Sequence, residues 1–342
     1  MYDPSLLYID PVLTNLSVGL PKDQNYYGIK IMPETPVRTQ SGLYRVFDRS
    51  DWLLTEDRRE PGTVAHEVVG AKWSTDTFQT HEHSLQVPVF DEERQQLTSQ
   101  GGLADPVFGG ALQLDPEADA TAKVVRSLFL NQENKVSTLV RNTANYPAGN
   151  TVTLSGGTQW DNYTMSTPGV PLTTSSDPVG DILKGMRTVY SATLRWPNLL
   201  AIPTLGLSYI ENHPRIVTRF QNFSLTIPNA FQILTGFQGQ IVLLDSMYNA
   251  TNNIDSTPLA YTQFWGKDVW LGISDDVPGL NQLTFGKTFA QIYPDGTVRP
   301  TERWREEPRK ADLIRTSYKY DLKIVAPSAG YLIKTAFSAT AW

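Results

Sequence analysis

The sequence predicts an α+β fold. An uninterrupted amphipathic pattern over residues 116–142 predicts one long helix, and strand patterns lie on both sides of it. Helix and strand patterns then alternate over residues 177–245, which is typical of a compact mixed domain. The chain has 342 residues, 40% of them hydrophobic and 19% charged. This is an ordinary globular balance, and the length fits about two domains at roughly 150 residues each.

Residues 1–36 lack a strong hydrophobic period and are interrupted by prolines that forbid long helices. These prolines are Pro4, Pro11, Pro21, Pro33 and Pro36. We expect this segment to have little core of its own and to lie extended over another surface.

Residues 37–71 have the pattern of a long hairpin. Leu43–Phe47 and Val64–Val69 are rich in strand-forming residues. Between them, DRSDWLLTEDRREPG carries both charge signs around apolar side chains, which fits either a solvated loop or a loop that docks on a partner. The candidate interface residues are Trp52, Leu53, Asp57, Arg58, Arg59 and Glu60.

After the hairpin, Leu85, Val87 and Val89 alternate with Gln86 and Pro88, as in a half-buried strand. The proline places that strand at a sheet edge or a bulge. The following residues, 91–96, are predicted to form a short helix.

The long helix is predicted from Pro116 to about Asn142, with Asp115 as its N-cap. At 1.5 Å per residue it is about 40 Å long. Mostly apolar residues recur at spacings of three and four residues and form one narrow stripe. Its members are Ala118, Ala122, Val125, Phe129, Gln132, Val136 and Leu139. A helix with one such stripe is expected to lie across a sheet as a spine.

The second half of the chain is predicted to alternate between helices and strands, with Asp177 capping the first helix. The predicted elements are helix Pro178–Ser191, strand Leu199–Ile202, helix Leu207–Asn212, helix Ile227–Thr235 and strand Gln240–Leu244. Near the C-terminus, Tyr320–Ala326 and Gly330–Phe337 flank a Pro-Ser-Ala-Gly turn and are predicted to pair as a hairpin.

Composition and motifs exclude several kinds of chemistry. There are no cysteines, which rules out disulfides, thiol nucleophiles and Cys-ligated metals, and there are only 4 histidines. His81 and His83 would share a strand face, but no third metal ligand is evident nearby. Phosphate-loop, dinucleotide-binding and nucleophile-elbow motifs are absent, and adjacent acidic pairs rarely face one cleft. We therefore expect no enzyme activity, no cofactor and no metal.

Charge and hydropathy narrow the class of protein further. The net charge of −6 argues against bulk binding of nucleic acid or anionic membrane. The densest charge run, residues 303–315, interleaves both signs, so we expect a solvated or interface-lining strand there. No signal peptide and no transmembrane run is predicted, and a cytosolic origin is expected.

Five stretches, in collinear order, resemble the major capsid proteins of tailed bacteriophages, which share the Hong Kong 97-like capsid fold. They are KWSTDTFQTHEHSLQVPVFDEERQ, SGGTQWDN, RWPNLLAIPTLGLSYIENHPRIVTRF, LTFGKTFAQIYPDG and DLIRTSYKYDLKIVAPSAGYLI. With the order of the other predicted elements, from the N-terminal arm to the closing strands, the resemblance spans nearly the whole chain.

The resemblance implies a division of the chain into four parts. Residues 1–36 would be the N-terminal arm and residues 37–71 the extended loop. Residues 72–176 and 301–342 would form the peripheral domain, with its spine helix at about 115–142, and residues 177–300 the axial domain.

The resemblance also implies a function and partners. The chain would self-assemble into pentamers and hexamers of an icosahedral head shell that encloses dsDNA without sequence-specific binding. It would be assembled in the host cytoplasm, remain in the virion and have no membrane partner. A separate scaffolding protein, a portal and a decoration or cement protein are the other implied partners. No lysine lies between Lys30 and Lys72, so we expect no covalent cross-link from a loop lysine.

Two alternatives stay open at this point. An encapsulin-like compartment would use the same fold to hold enzyme cargo. A β-rich carbohydrate-active enzyme or lectin would use the 8 tryptophans and scattered carboxylates.

Overall fold

The structure is a computed structural model, and it describes residues 8–9, 26–47, 57–58, 61–62, 73–92, 94, 116–163, 175–220, 235–249, 261–275 and 283–338. The helices of these residues are α1 (Gly28–Ile31), α2 (Pro116–Val140), α3 (Pro178–Thr193), α4 (Thr204–Glu211) and α5 (Pro214–Phe220). The strands are β1 (Tyr8–Ile9), β2 (Glu34–Val37), β3 (Ser41–Phe47), β4 (Trp73–Gln79), β5 (His81–Phe90), β6 (Thr151–Thr153), β7 (Leu199–Pro203), β8 (Gln240–Leu244), β9 (Met247–Asn249), β10 (Tyr261–Gln263), β11 (Val269–Gly272), β12 (Gly286–Gln291), β13 (Thr301–Glu306), β14 (Ala311–Ile324) and β15 (Gly330–Lys334).

A six-stranded sheet is built around β14. One edge of β14 pairs antiparallel with β5 along ten register positions, and its other edge is shared by β13 and β12. β1 extends the sheet beyond β13, and β2 runs parallel to β12. Among the described strands, β5 has β14 as its single partner, so Pro88 sits on an edge strand as predicted.

The long helix α2 is confirmed, from Pro116 to Val140, whereas the predicted cap Asp115 lies outside the described residues. Its buried face differs from the predicted stripe. Ala118, Ala122 and Leu139 are only partly buried, whereas several residues outside the stripe are buried, so the face is wider than predicted. The buried apolar residues are Ala120, Val124, Val125, Leu128, Phe129, Val136 and Val140. The face is wide because the helix packs on two cores. Ala120 meets the six-stranded sheet, and Val136 and Val140 meet the core of a second sheet.

The second sheet has five strands in the order β6-β15-β11-β7-β8. Strands β7 and β8 are parallel, and β7 is buried at every residue, so its two faces are both covered. Helix α3 covers one face with Ile182, Met186 and Val189. Asp177 caps this helix as predicted and accepts a hydrogen bond from the Gly180 amide at 3.1 Å. The predicted mixed helix–strand domain is therefore present.

The predicted C-terminal hairpin is wrong. β14 and β15 are both strands, but they belong to different sheets, and a 3₁₀ turn over Pro327–Ala329 carries the chain from one to the other. β15 pairs with β11 and β6, where residues 330–333 are all buried. A strand with apolar residues on both faces is stabilised when both faces are covered inside a sheet. In a surface hairpin, one of these faces would stay exposed to water.

Two predicted elements are displaced or cannot be compared. The hairpin begins at β3 as predicted, but its second strand is β4, over Trp73–Gln79. Val64–Val69 lies outside the described residues, as does the predicted helix Ile227–Thr235 apart from its last residue. The predicted helix Leu207–Asn212 is α4, Thr204–Glu211, and the predicted short helix after β5 is helical at Asp91, Glu92 and Arg94.

Candidate functional site

The β3–β4 hairpin is a two-stranded ribbon anchored at one end. The rings of Tyr44 and Phe78 pack on Phe289 of β12, at 5.3 and 4.6 Å between centroids. At the same end the Gln79 amide donates to Asp321 Oδ2 at 2.9 Å. Leu43 of the ribbon is 69% exposed. An isolated two-stranded ribbon is marginally stable in water, so this element depends on its anchoring contacts with Phe289 and Asp321.

The candidate interface residues are only partly described. Asp57 and Arg58 are exposed, whereas Trp52, Leu53, Arg59 and Glu60 lie outside the described residues. Contact of this loop with a partner therefore stays a prediction.

The charge run at residues 303–315 is largely paired within the chain. Arg303 donates to Glu117 Oε2 at 2.8 Å and to Asp312 Oδ2 at 2.7 Å. Arg94 bridges the same two carboxylates at 2.7 and 2.6 Å. Burial would raise the pKa of Asp312, but the hydrogen bonds from Arg94 and Arg303 outweigh it and lower that pKa.

This cluster ties the start of α2 to β13 and β14. Arg305 adds a two-pronged contact to Asp91, at 2.6 and 2.5 Å, so the short helix after β5 is held as well. The predicted solvated or interface-lining strand is thus also an internal clamp. Sequence reasoning missed its partners because Asp91 and Glu117 are remote in the chain.

A buried carboxylate on α2 joins three segments. Glu133 is 2% exposed. Its Oε2 accepts a hydrogen bond from the Gly28 amide at 2.6 Å, and its Oε1 accepts from Trp265 Nε1 at 2.6 Å and Ser246 Oγ at 3.3 Å. Burial raises the pKa of Glu133, and the donated hydrogen bonds offset only part of that shift.

Glu133 therefore holds the segment before β2 against the long helix and the five-stranded sheet. Tyr26 stacks on Phe129 one helical turn away, at 6.5 Å, and Ile31 and Met32 are fully buried. A glutamate between Gln132 and Asn134 gave no sign of burial in the sequence, although it lies four residues after Phe129 on the apolar side.

An aromatic pair is exposed where α3 ends. Tyr190 and Trp196 stack at 4.4 Å with an interplanar angle of 20°. Trp196 is 55% exposed and Leu194, between them, is 49% exposed. Exposed aromatic clusters of this kind mark contact surfaces.

The histidine pair does not form a metal centre in the described part of the chain, where no cluster of ligands suited to a metal ion is found. His83 instead lies with its ring nitrogens 3.3 and 3.2 Å from Lys135 Nζ and its ring 4.4 Å from that of Tyr320. Burial lowers the pKa of His83, and the Lys135 charge lowers it further. No helix among the described residues is long and apolar enough to cross a membrane.

Comparison with known proteins connects this architecture to phage capsids. No family model matches the chain. It is 23% identical over 333 residues to the major capsid protein of Burkholderia phage BcepMu, covering 96% of each chain. It is 21% identical over 240 residues to the major capsid protein of Pseudomonas phage JBD67, covering 70% of this chain and 67% of that protein.

Solved structures have the same fold. A phage-related protein from Bordetella bronchiseptica matches with a TM-score of 0.69 and 22% identity, over 96% of this chain and 98% of that one. The capsid structure of cyanophage P-SCSP1u matches at 0.55 and 10% identity, over 89% and 86% of the two chains. An encapsulin complex from Synechococcus elongatus matches at 0.50 and 9% identity, over 93% and 90%. The predicted resemblance is confirmed: the chain is a relative of the phage major capsid proteins and has their Hong Kong 97-like fold.

Proposed function

We propose that the chain is the major capsid protein of a tailed phage, a structural subunit that self-assembles into the icosahedral head shell of the virion. The observation that carries the proposal is the match to the major capsid protein of Burkholderia phage BcepMu over 96% of the chain. The anchored but otherwise unsupported β3–β4 ribbon agrees with it, because such a ribbon gains stability from contact with a further surface.

The proposal gives each part of the molecule a role in assembly. We assign the six-stranded sheet with α2 to the peripheral domain, and the five-stranded sheet with α3 to the axial domain that points at a fivefold or sixfold axis. Relative to the bounds that the resemblance implies (72–176 and 301–342 peripheral, 177–300 axial), this assignment moves β6 and β15 to the axial domain and β12 to the peripheral domain. The β3–β4 ribbon continues into the extended loop, which lies across a neighbouring subunit. Pentamers and hexamers form through heterologous contacts that close into rings.

The role is geometric, and catalysis has no part in it. The shell encloses dsDNA without reading its sequence, in keeping with a chain whose net charge is −6. A separate scaffolding protein, a portal and a decoration or cement protein stay predicted partners.

An encapsulin-like compartment is the second candidate, since encapsulin has the same fold. The curated relatives favour the phage shell, because both are named major capsid proteins of phages. Terminase and portal genes beside the coding gene would support the phage assignment, and cargo enzyme genes in their place would support the compartment.

Sedimentation velocity of the purified chain tests the proposed function. Capsomers or larger closed particles are expected. A folded monomer at all concentrations, with a melting temperature that rises on adding glycans, would replace the capsid proposal with a lectin.

A further inference from the structure

The end of α3 carries an apolar surface that has no internal function. Tyr190, Leu194 and Trp196 are 39%, 49% and 55% exposed. Leu194 has a φ of 57°, the left-handed region that leucine adopts uncommonly, and its amide still closes the helix on the Tyr190 carbonyl at 2.7 Å. The chain thus turns sharply at Leu194 and leaves its side chain outside.

A groove adjoins this surface. It has a volume of about 490 Å³ and is lined by residues that include Leu183, Met186, Arg187 and Trp196. Arg187 is exposed on the helix beside the aromatic pair. Trp, Tyr and Arg are the residue types that dominate binding energy at protein interfaces. We call Tyr190, Leu194, Trp196 and Arg187 the stacking surface.

A second exposed apolar surface lies beyond the opposite end of strands β7 and β8. Met247 of β9 and Tyr261 of β10 are 38% and 64% exposed, and Asp245, two residues before Met247, is exposed too. Asp245 contacts the Tyr27 hydroxyl, and its carboxylate retains further acceptor sites. We call Asp245, Met247 and Tyr261 the ribbon surface, after the two-stranded β9–β10 pair; it is distinct from the β3–β4 ribbon.

The two surfaces are separated along the strands. β7 and β8 run parallel from Leu199 and Gln240 to Pro203 and Leu244. Trp196 comes just before the start of β7, and Asp245 comes directly after the end of β8. The stacking surface therefore lies beyond one end of the strands and the ribbon surface beyond the other, about 17 Å of strand apart at 3.3 Å per residue.

We propose that the stacking surface of one copy docks on the ribbon surface of the next copy, head to tail. This inference rests on the proposed shell function. Both surfaces are apolar at their centre and opposite in charge, with Arg187 on one and Asp245 on the other, so they are complementary to each other. A head-to-tail contact is heterologous and can close into a ring, which a capsomer requires.

Two single variants test the pairing. Trp196→Ala removes the stacking surface and Tyr261→Ala removes the ribbon surface. Each should fold as wild type by circular dichroism and raise the critical concentration for assembly by about tenfold or more. Trp196→Phe and Tyr261→Phe keep the rings and should assemble as wild type does.

Mixing the two Ala variants is the sharper experiment. In an equimolar mixture one intact stacking surface meets one intact ribbon surface, and no further contact of this type can form. The mixture should give a 1:1 complex by sedimentation at a concentration where each variant alone is monomeric and wild type forms larger rings. If both variants stay monomeric when mixed, the pairing is wrong.

A second pair of variants keeps the inference testable if an Ala variant does not fold. Arg187→Glu should weaken assembly, and adding Asp245→Arg should restore it. If Trp196→Ala assembles at the same concentration as wild type, the docking proposal is overturned but the shell function stands. If Trp196→Ala assembles normally and loses only its binding to a co-expressed scaffolding protein, the docking proposal is overturned and the surface is assigned to that protein instead. Failure of wild type to assemble at all would overturn both.

Discussion

Glu133 Oε1 accepts a hydrogen bond from Trp265 Nε1 at 2.6 Å, and this bond joins the middle of the long helix to the segment before β11. The other carboxylate oxygen accepts from the Gly28 amide, so one side chain connects three segments that are far apart in the sequence. In the assembled shell, the same carboxylate would keep the N-terminal segment seated against the spine helix while neighbouring subunits act on both domains.

Glu133→Ala should be strongly destabilising. The substitution leaves buried donors of Gly28, Ser246 and Trp265 without acceptors and opens a cavity, so the free energy of unfolding should fall by about 2–5 kcal/mol. Denaturant unfolding measures the change, and hydrogen exchange at the Gly28 amide should accelerate.

The neighbouring glutamine is the matched control. Gln132 is 2% exposed, yet neither its Oε1 nor its Nε2 has a hydrogen-bond partner among the described residues. Gln132→Met removes that unpaired amide and keeps the volume, so stability should be unchanged or rise by about 1 kcal/mol. A loss in Gln132→Met as large as in Glu133→Ala would show that any substitution on this buried face is costly, so the loss in Glu133→Ala could not be assigned to its hydrogen bonds.

The pH dependence of stability should contain a contribution from His213. The ring is fully buried, and burial, with a smaller contribution from the Arg215 charge that the Asp177 carboxylate opposes, lowers the pKa of His213 to about 4. An unfolded histidine titrates near 6.5, so between these values the unfolded state binds more protons. The free energy of unfolding should therefore fall as pH falls from 6.5 to 4, by up to about 3 kcal/mol.

His213→Phe isolates this contribution. The variant loses a constant amount of stability, including the contact to Ser176 Oγ at 3.2 Å, but its stability should vary less with pH across that window. Equal pH slopes for wild type and variant, from urea unfolding at each pH, would contradict the assignment.

Deleting residues 48–62 should separate folding from assembly. The ribbon is anchored by Tyr44 and Phe78 on Phe289, outside the deleted segment, so the monomer should remain folded with a melting temperature within a few degrees of wild type. Shell assembly should be lost, because the deleted segment contains all the candidate interface residues of the loop. Normal shells from the deletion variant, or an unfolded monomer, would count against the assignment of this segment.

Elements that depend on local signals could be predicted from the sequence. Helix α2 was found because Pro116 and the acidic first turn mark its start and the apolar spacing continues to its end. Strand β5 and the Asp177 cap were found for similar reasons. Strand β4 was missed because its residues 74–77 are polar and exposed, so no alternation identifies them.

Pairings between remote residues could not be predicted. The sequence around residue 327 contains two strands and a turn, but it does not specify that β15 leaves β14 for β11. Similarly, the acceptors of Arg303 and the burial of Glu133 depend on which surfaces meet. Burial of a charge is set by tertiary contacts, and a glutamate in a helix is ordinarily solvated.

Electron cryomicroscopy of particles purified after expression of the chain, with and without a candidate scaffolding protein, tests the central claim most directly. We expect closed shells whose capsomers have fivefold and sixfold symmetry, with β3–β4 ribbons crossing between subunits. A folded chain that stays monomeric under every condition, or that forms only open, irregular aggregates, would contradict the account.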